Sequence, residues 1–248
     1  MHMLEPTLQS PGLDTGSKHL RRGGMPGAGP EALPDLLLME RARGGDARAL
    51  EALIRRYSRR LFRVARSVLM DDEHAEAAVL DSFLAAFAGL SRYESTGKFA
   101  AWLTRLVFNQ ARTVRACTRA AAAPAPSPSA TDLASPAAPG AGAEELRERR
   151  ELEQAIASLP AVFRTVYVLR VVEGVSGIET AASLGIHETT VRTRLYRAHR
   201  RLAPDTAQRI RAATALLELP PLSAERIVSR ALAQRPHTSM LSISASTP

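Results

Sequence analysis

The sequence predicts an all-α protein built as two small helical domains joined by a flexible Pro/Ala linker. Apolar residues recur at three- and four-residue spacing through residues 31–120 and again through 144–202. No convincing run of period two appears between them, which argues against strands. The stretch 121–143, AAAPAPSPSATDLASPAAPGAGA, separates the two zones; its prolines forbid regular helix and favour an extended, semi-stiff tether.

The elements follow in order. Residues 1–30 are rich in Gly, Pro and Ser and are expected to be disordered; the sequence offers two starts, Met1 and Met25. A short helix is expected over 35–43, closed by Gly44-Gly45. Asp46 can accept from an orphaned backbone N–H and so cap the next helix. That helix carries Leu50, Leu53, Ile54, Tyr57, Leu61, Val64, Ala65, Val68 and Leu69 on one face, with arginines from Arg55 to Arg66 on its other sides. Asp71 and Asp72 favour the start of a third helix, with Val79, Leu80, Phe83, Leu84 and Phe87 as its apolar positions. After a polar loop, Phe99, Trp102, Leu103, Leu106 and Val107 define a fourth.

Beyond the linker, Leu152, Ile156 and Leu159 precede Pro160, a break or first-turn residue. Val162, Phe163, Val166, Tyr167 and Leu169 form the next helix, ended by Glu173-Gly174. Ser176 to Leu202 reads as two short helices about a tight turn. Ile178, Ala181, Ala182 and Leu184 give the first an apolar side, and Gly185 supplies the sharp turn without steric cost. Val191, Leu195 and Ala198 stripe the second, leaving Arg192, Arg194, Arg197, Arg200 and Arg201 on its other faces. Such a unit can lay one helix in the major groove of DNA. The second domain spans 144–204, and a C-terminal helical extension and tail occupies 205–248.

Charge favours an anionic partner, either nucleic acid or an anionic membrane surface. The 248-residue chain carries a formal charge of +8, mostly from arginine, which suits bidentate contacts with phosphate and guanine. Aromatic residues make up only 4%, so broad base-stacking platforms are not expected. One cysteine, Cys117, excludes an internal disulfide framework, and the six histidines make no metal spacing with it. No apolar run approaches the roughly 20 residues of a membrane span. A cytoplasmic, non-enzymatic protein without cofactor or metal is expected. The C-terminal half alone also fits a dimeric helix-turn-helix transcriptional regulator that binds DNA on its own.

Taken together, the segments resemble the bacterial RNA polymerase sigma factors of the extracytoplasmic-function (ECF) group. Gly45 to Phe87 resembles the start of that family's first conserved domain, and KFAAWLTRLVFNQARTVR (Lys98 to Arg115) its promoter-melting helix. Leu152 to Leu202 resembles the second domain nearly end to end. The resemblance implies binding to core RNA polymerase through the β′ coiled coil and the β flap, recognition of −10 and −35 promoter DNA elements, and allows an anti-sigma factor as regulator. For the −35 element it implies Arg192, Thr193 and Arg197 as base readers. Thr190, Arg194 and Arg201 are then positioning contacts, with Arg200 beside them. For the −10 element it implies Tyr93, Lys98, Trp102, Arg105, Asn109 and Arg112; the loop Ser91 to Lys98 matches the segment that captures a flipped base. By its neighbours alone Trp102 reads as core. Polymerase docking falls on Glu76, Leu80, Asp81 and Phe83.

The chain departs from the family pattern at several positions. Ala77, Ala78 and Leu80 stand where polar or acidic docking residues are common, which implies a weaker or more apolar contact. Thr113 and Phe108 are unusual on the melting helix. Leu219 to Arg235 is expected to form a short helix after Pro220-Pro221, with Ile227, Val228 and Leu232 as its apolar edge. That edge is expected to pack back on the second domain, with a regulator as the competing partner.

Overall fold

A computed structural model describes residues 33–93, 98–121, 141–213 and 216–234. The N-terminal extension, most of the Pro/Ala linker, the end of the tail and residues 94–97 of the base-capture loop lie outside the described residues. All regular structure among the described residues is helical.

The first unit comprises α1 (Asp35–Arg43), α2 (Ala47–Leu69), α3 (Asp72–Gly89) and α4 (Phe99–Ala121), with a 3-10 turn at Leu90–Arg92. Local chemistry sets the starts. Asp46 accepts from the N–H groups of Arg48 at 2.9 Å and Ala49 at 3.3 Å, satisfying two donors that a helix start leaves open. Asp71 does the same for α3 through His74 N at 2.8 Å. α2 ends at Met70, a left-handed residue with φ 63° whose N–H returns to Arg66 O. The apolar faces then close one core. Leu53, Ile54, Leu61 and Phe62 of α2, Val79 and Phe83 of α3, and Leu103 and Val107 of α4 are essentially water-free.

The second unit comprises α5 (Ala141–Ser158), α6 (Ala161–Tyr167), α7 (Gly177–Leu184), α8 (Glu188–His199) and α9 (Pro204–Ala212). α5 begins at Ala141, inside the stretch expected to be linker. α6 continues as a π-turn over Val168–Val172. Its side chains serve two clusters. Tyr167 and Val168 join Leu152, Ile156, Leu159, Ala198 and Ile210. Val166 and Leu169 instead meet Val64 of α2, Val175, Leu184 and Val191.

That last cluster is a seam between the two units, and polar contacts reinforce it. Arg164 is buried and donates to Ser67 O and Ala157 O, each at 2.6 Å, so it ties α6 to the end of α2. Burial pushes its guanidinium down to about 10, and the nearby Arg115 and Arg66 act in the same sense. Ser67 Oγ donates to Thr165 Oγ1 at 3.0 Å. The arginines of α2 form the rest. Arg63 is only 4% exposed; it pairs with Glu173 at 2.6 Å and Glu218 at 2.7 Å. Arg60 pairs with Glu179 of α7 at 2.6 Å. What the sequence offers as a charged outer face of α2 is in large part a clamp on the second unit.

Two expectations are corrected. α7 buries only part of the side proposed for it: Leu184 is buried and Ala181 packs against the inter-unit cluster, but the other two residues are exposed. Ile178 is 72% exposed and Ala182 is exposed, whereas Thr180, Ser183 and Leu184 are buried. The helix is gripped on its polar small residues because it packs closely on α4, and small side chains permit that approach. The C-terminal helix α10 (Pro221–Ala233) does form, but it packs on α2 and α3 of the first unit rather than on the second domain. Its Ile227, Val228 and Ala231 join the first unit's core.

Arg63→Ala leaves the mostly buried Glu173 without this cation and Glu218 with Arg59 at 2.9 Å. It is expected to cost about 3 kcal/mol, the low end for a broken buried pair because Glu218 keeps some solvent. Urea unfolding checks this, with a drop in midpoint at unchanged slope as the expected result.

Candidate nucleic-acid interface

α7 and α8 are set by three local devices. Ser176 Oγ accepts from Glu179 N at 3.1 Å and starts α7. Gly185 then takes φ 65°, a left-handed turn, and its N–H returns to Ala181 O. Ile186 N also donates to Ala181 O, at 3.1 Å, and its side chain packs into the inter-unit cluster. α8 leaves from His187 in an extended conformation. Buried Val191 and Ala198 hold one side of α8 down, which turns its other side to solvent.

That outer side carries the expected readers. Arg192 is exposed, and its pairing with Glu188 at 3.8 Å is long and solvated, so it holds the guanidinium weakly. Thr193 and Arg197 are exposed beside it; Thr193 Oγ1 donates back to Thr189 O at 2.9 Å. Thr190 and Arg194 are half-buried. Arg201 is exposed but lies over the Phe163 ring at 4.8 Å, a cation–π contact that fixes its direction. Tyr196, absent from the sequence-based set, is an exposed aromatic on the same helix with Arg200 over its ring at 5.9 Å. A lone tyrosine in a helix gives no sequence signal of exposure, since an aromatic at helical spacing more often faces the core.

The −10 candidates lie on and before α4. Tyr93, Phe99 and Trp102 form one aromatic cluster, with Tyr93 and Trp102 centroids 4.7 Å apart and Phe99 and Trp102 5.6 Å apart. Trp102 is half-buried, packed against the first unit's core. Lys98, Arg105, Asn109 and Arg112 are exposed.

The structure brings the two candidate sets together. α4 packs on α7, and the Arg105 guanidinium lies so close to Gly185 that a Cβ there would sit 3.1 Å from Nη2. A cavity of about 220 Å³ is lined by Phe108 and Arg112 of α4 and by Leu184, Ile186 and Arg194 of the second unit, with Arg115 at its edge. Phe108, one of the unusual residues of the melting helix, therefore packs into the seam.

The docking candidates divide. Asp81 is exposed and accepts from Gln110 Nε2 at 3.1 Å. Glu76 is engaged by Arg226 of α10. Leu80 is buried, and Phe83 is fully buried and stacked on Phe87 at 5.8 Å. Phe83 thus belongs to the core and cannot itself touch a partner, because its ring is what holds α3 on α2 and α4.

Two helical units, one a helix-turn-helix with a basic outer helix and the other bearing an aromatic and basic helix, define a two-point DNA-reading protein. Comparison with known proteins makes this specific. The sigma-70 region 2 family matches residues 53–119, and sigma-70 region 4 matches residues 149–202. The chain is 32% identical over 160 residues to the ECF RNA polymerase sigma factor SigM of Mycobacterium tuberculosis, covering 64% of this chain and 78% of that protein. It is 30% identical over 178 residues to the ECF RNA polymerase sigma-E factor of Escherichia coli, covering 68% and 92%. Among solved structures, CnrH in complex with the cytosolic domain of CnrY aligns with a TM-score of 0.50 at 27% identity, over 67% of this chain and 93% of that one. The chain belongs to the ECF RNA polymerase sigma factors: it binds core RNA polymerase and directs promoter-specific transcription initiation. The dimeric regulator reading gives way, because it rested on the C-terminal half alone. Among the described residues no helix is long and apolar enough to cross a membrane.

Gly185→Ala forces a Cβ into a left-handed turn and against Arg105. The expected loss is about 1–2 kcal/mol, read as a lower thermal midpoint with weaker DNA binding by the second unit.

Proposed function

We propose that α8 reads the −35 element and that α4 with its preceding aromatic cluster engages the −10 element. One observation carries the first half of this reading. Arg192, Thr193 and Arg197 stand exposed on the outer side of α8, while the opposite side is buried. Arginine can hold guanine O6 and N7 together, so Arg192 and Arg197 specify sequence. Thr190, Arg194 and Arg201 position the helix on phosphates, which fixes register without reading bases. For the −10 element, Tyr93 and Trp102 offer ring faces for an unstacked base, and Lys98, Arg105, Asn109 and Arg112 offer donors along the strand. Glu76, Leu80 and Asp81 provide the polymerase-docking face of α3, supported from beneath by Phe83. The β flap receives the second unit. The protein acts in the cytoplasm, where core polymerase and promoter DNA are found, and similarity to CnrH, solved with CnrY, supports an anti-sigma factor as regulator.

This reading requires the two units to part. Elements named for positions −10 and −35 lie some 25 base pairs apart, or about 85 Å at ~3.4 Å per pair. A compact body of this chain's described size has a radius of gyration of about 16 Å. The seam of Val64, Val166 and Leu184 must therefore open on the polymerase. The chain added to core polymerase should produce discrete transcript starts from a promoter library; silence at every promoter contradicts the reading. Arg192→Ala should cost about 1–3 kcal/mol on promoters with guanine at its position and little elsewhere. Equal losses on every sequence in a binding competition would make Arg192 a phosphate contact.

A further inference from the structure

The docking helix is covered by the chain's own C-terminal helix. α10 lies on α2 and α3, and its Ile227, Val228 and Ala231 are buried in the first unit's core cluster. Arg226 lays its guanidinium fork on the Glu76 carboxylate, Nε to Oε1 at 2.9 Å and Nη2 to Oε2 at 2.6 Å. The same Nη2 also donates to Ser223 Oγ at 2.9 Å. A second fork runs the other way: Arg55 of α2 donates to both oxygens of Glu225, at 2.7 and 3.1 Å. One turn beyond Glu76, Leu80 is only 8% exposed, in the same cluster as the α10 side chains.

These contacts explain the composition of α3. Ala78 and Leu80 are apolar where the family commonly has polar or acidic docking residues, and both are buried in this chain. Left open, an apolar face on a docking helix would be a liability for aggregation; under α10 it has an occupant. The path of the chain delivers that occupant. Leu217 turns with φ 52°, its N–H donating to Glu153 Oε1 at 2.9 Å, and Glu218 then pairs with Arg63 and Arg59 before α10 begins. The Arg226 bond holds the Glu76 carboxyl below the usual carboxylate range, so it stays ionised and paired at neutral pH.

We propose that α10 is a built-in competitor of core polymerase: it occupies the Glu76–Leu80 face of α3 and must leave before that face can dock. This rests on the docking assignment made above for Glu76, Leu80 and Asp81. The hold is suited to release. The rim pairs are open to solvent on the α10 side, at Arg226 and Glu225, so they are screened by salt and accessible to a competing partner. The apolar seam is one short helix wide. A polymerase surface that binds the same face competes directly, and its apparent affinity is reduced by the fraction of molecules whose face is open.

The test measures binding of the full-length chain to core polymerase. Ile227→Asp with Val228→Asp places two carboxylates in the seam and frees α10. Arg226→Glu reverses the rim charge at an exposed position and leaves the apolar contacts intact, so the fold is kept if the first variant is damaged. Circular dichroism checks the remaining helices, and hydrogen exchange over residues 221–233 checks release. The expected result is binding tighter by roughly tenfold for the double variant and by a smaller factor for Arg226→Glu. Equal dissociation constants for the wild type and both variants overturn the proposal. Asp81→Arg, introduced in each background, separates the docking assignment from the cover. Loss of binding in every background with no gain on release leaves docking standing and removes the competitor. A gain on release that Asp81→Arg does not touch leaves the competitor standing and moves the docking residues elsewhere on the face.

Discussion

The arrangement of the whole molecule depends on Arg63. A guanidinium buried in the middle of α2 is tolerated only if carboxylates meet it, because an unpaired charge removed from water costs several kcal/mol. The two that do come from different parts of the chain: Glu173 from the turn before α7, and Glu218 from the segment leading to α10. One side chain therefore fixes both where the helix-turn-helix unit sits and which way the C-terminal segment runs. Arg60 and Arg55 extend the same logic along α2, to Glu179 of α7 and Glu225 of α10. Part of the chain's basic charge is thus neutralised internally, and the surface that reads DNA is narrower than the count of arginines suggests.

This closed state has a functional consequence. Its seam combines a small apolar cluster with ion pairs and a few hydrogen bonds, and it holds α4 against α7. Arg112 and Arg194, assigned to the two different promoter elements, line one cavity. A sigma factor bound across both elements needs them far apart. The physical picture is a two-state equilibrium in which polymerase and DNA supply partners for groups that otherwise satisfy each other. The half-buried pair of Arg60 with Glu179 is expected to exchange partners more readily than Arg164, which is buried and bonded to two carbonyls and marks the more stubborn part of the seam.

The departures from the family pattern take on meaning in the same terms. Phe108, odd on a melting helix, packs into the seam with Leu184 and Ile186 as neighbours. Leu80 and Ala78, odd on a docking helix, are buried in the core cluster that α10 joins. Residues that look like losses of partner-binding chemistry are, in the folded chain, gains of internal packing.

Much of what depends on neighbours in sequence was legible from sequence. The helix over 35–43, the Asp46 and Asp71 caps, the turn at Gly185 and the exposed Arg192, Thr193 and Arg197 all follow from groups within a turn of one another. The family resemblance added the pairing of the two units. Other features were decided by tertiary structure, because they depend on partners far away along the chain. A stripe of arginines on α2 reads the same whether it faces water or Glu173. An amphipathic α10 needs an apolar partner, but its pattern does not say which, and the choice fell to α2 and α3 once Glu218 and Glu225 found Arg63 and Arg55. α7 buried Thr180 and Ser183 in place of Ile178 because close packing on α4 rewards small side chains over greasy ones. Local hydrogen bonds and periodicity set the elements; long-range charge pairing and packing set which surfaces remained to meet polymerase and DNA.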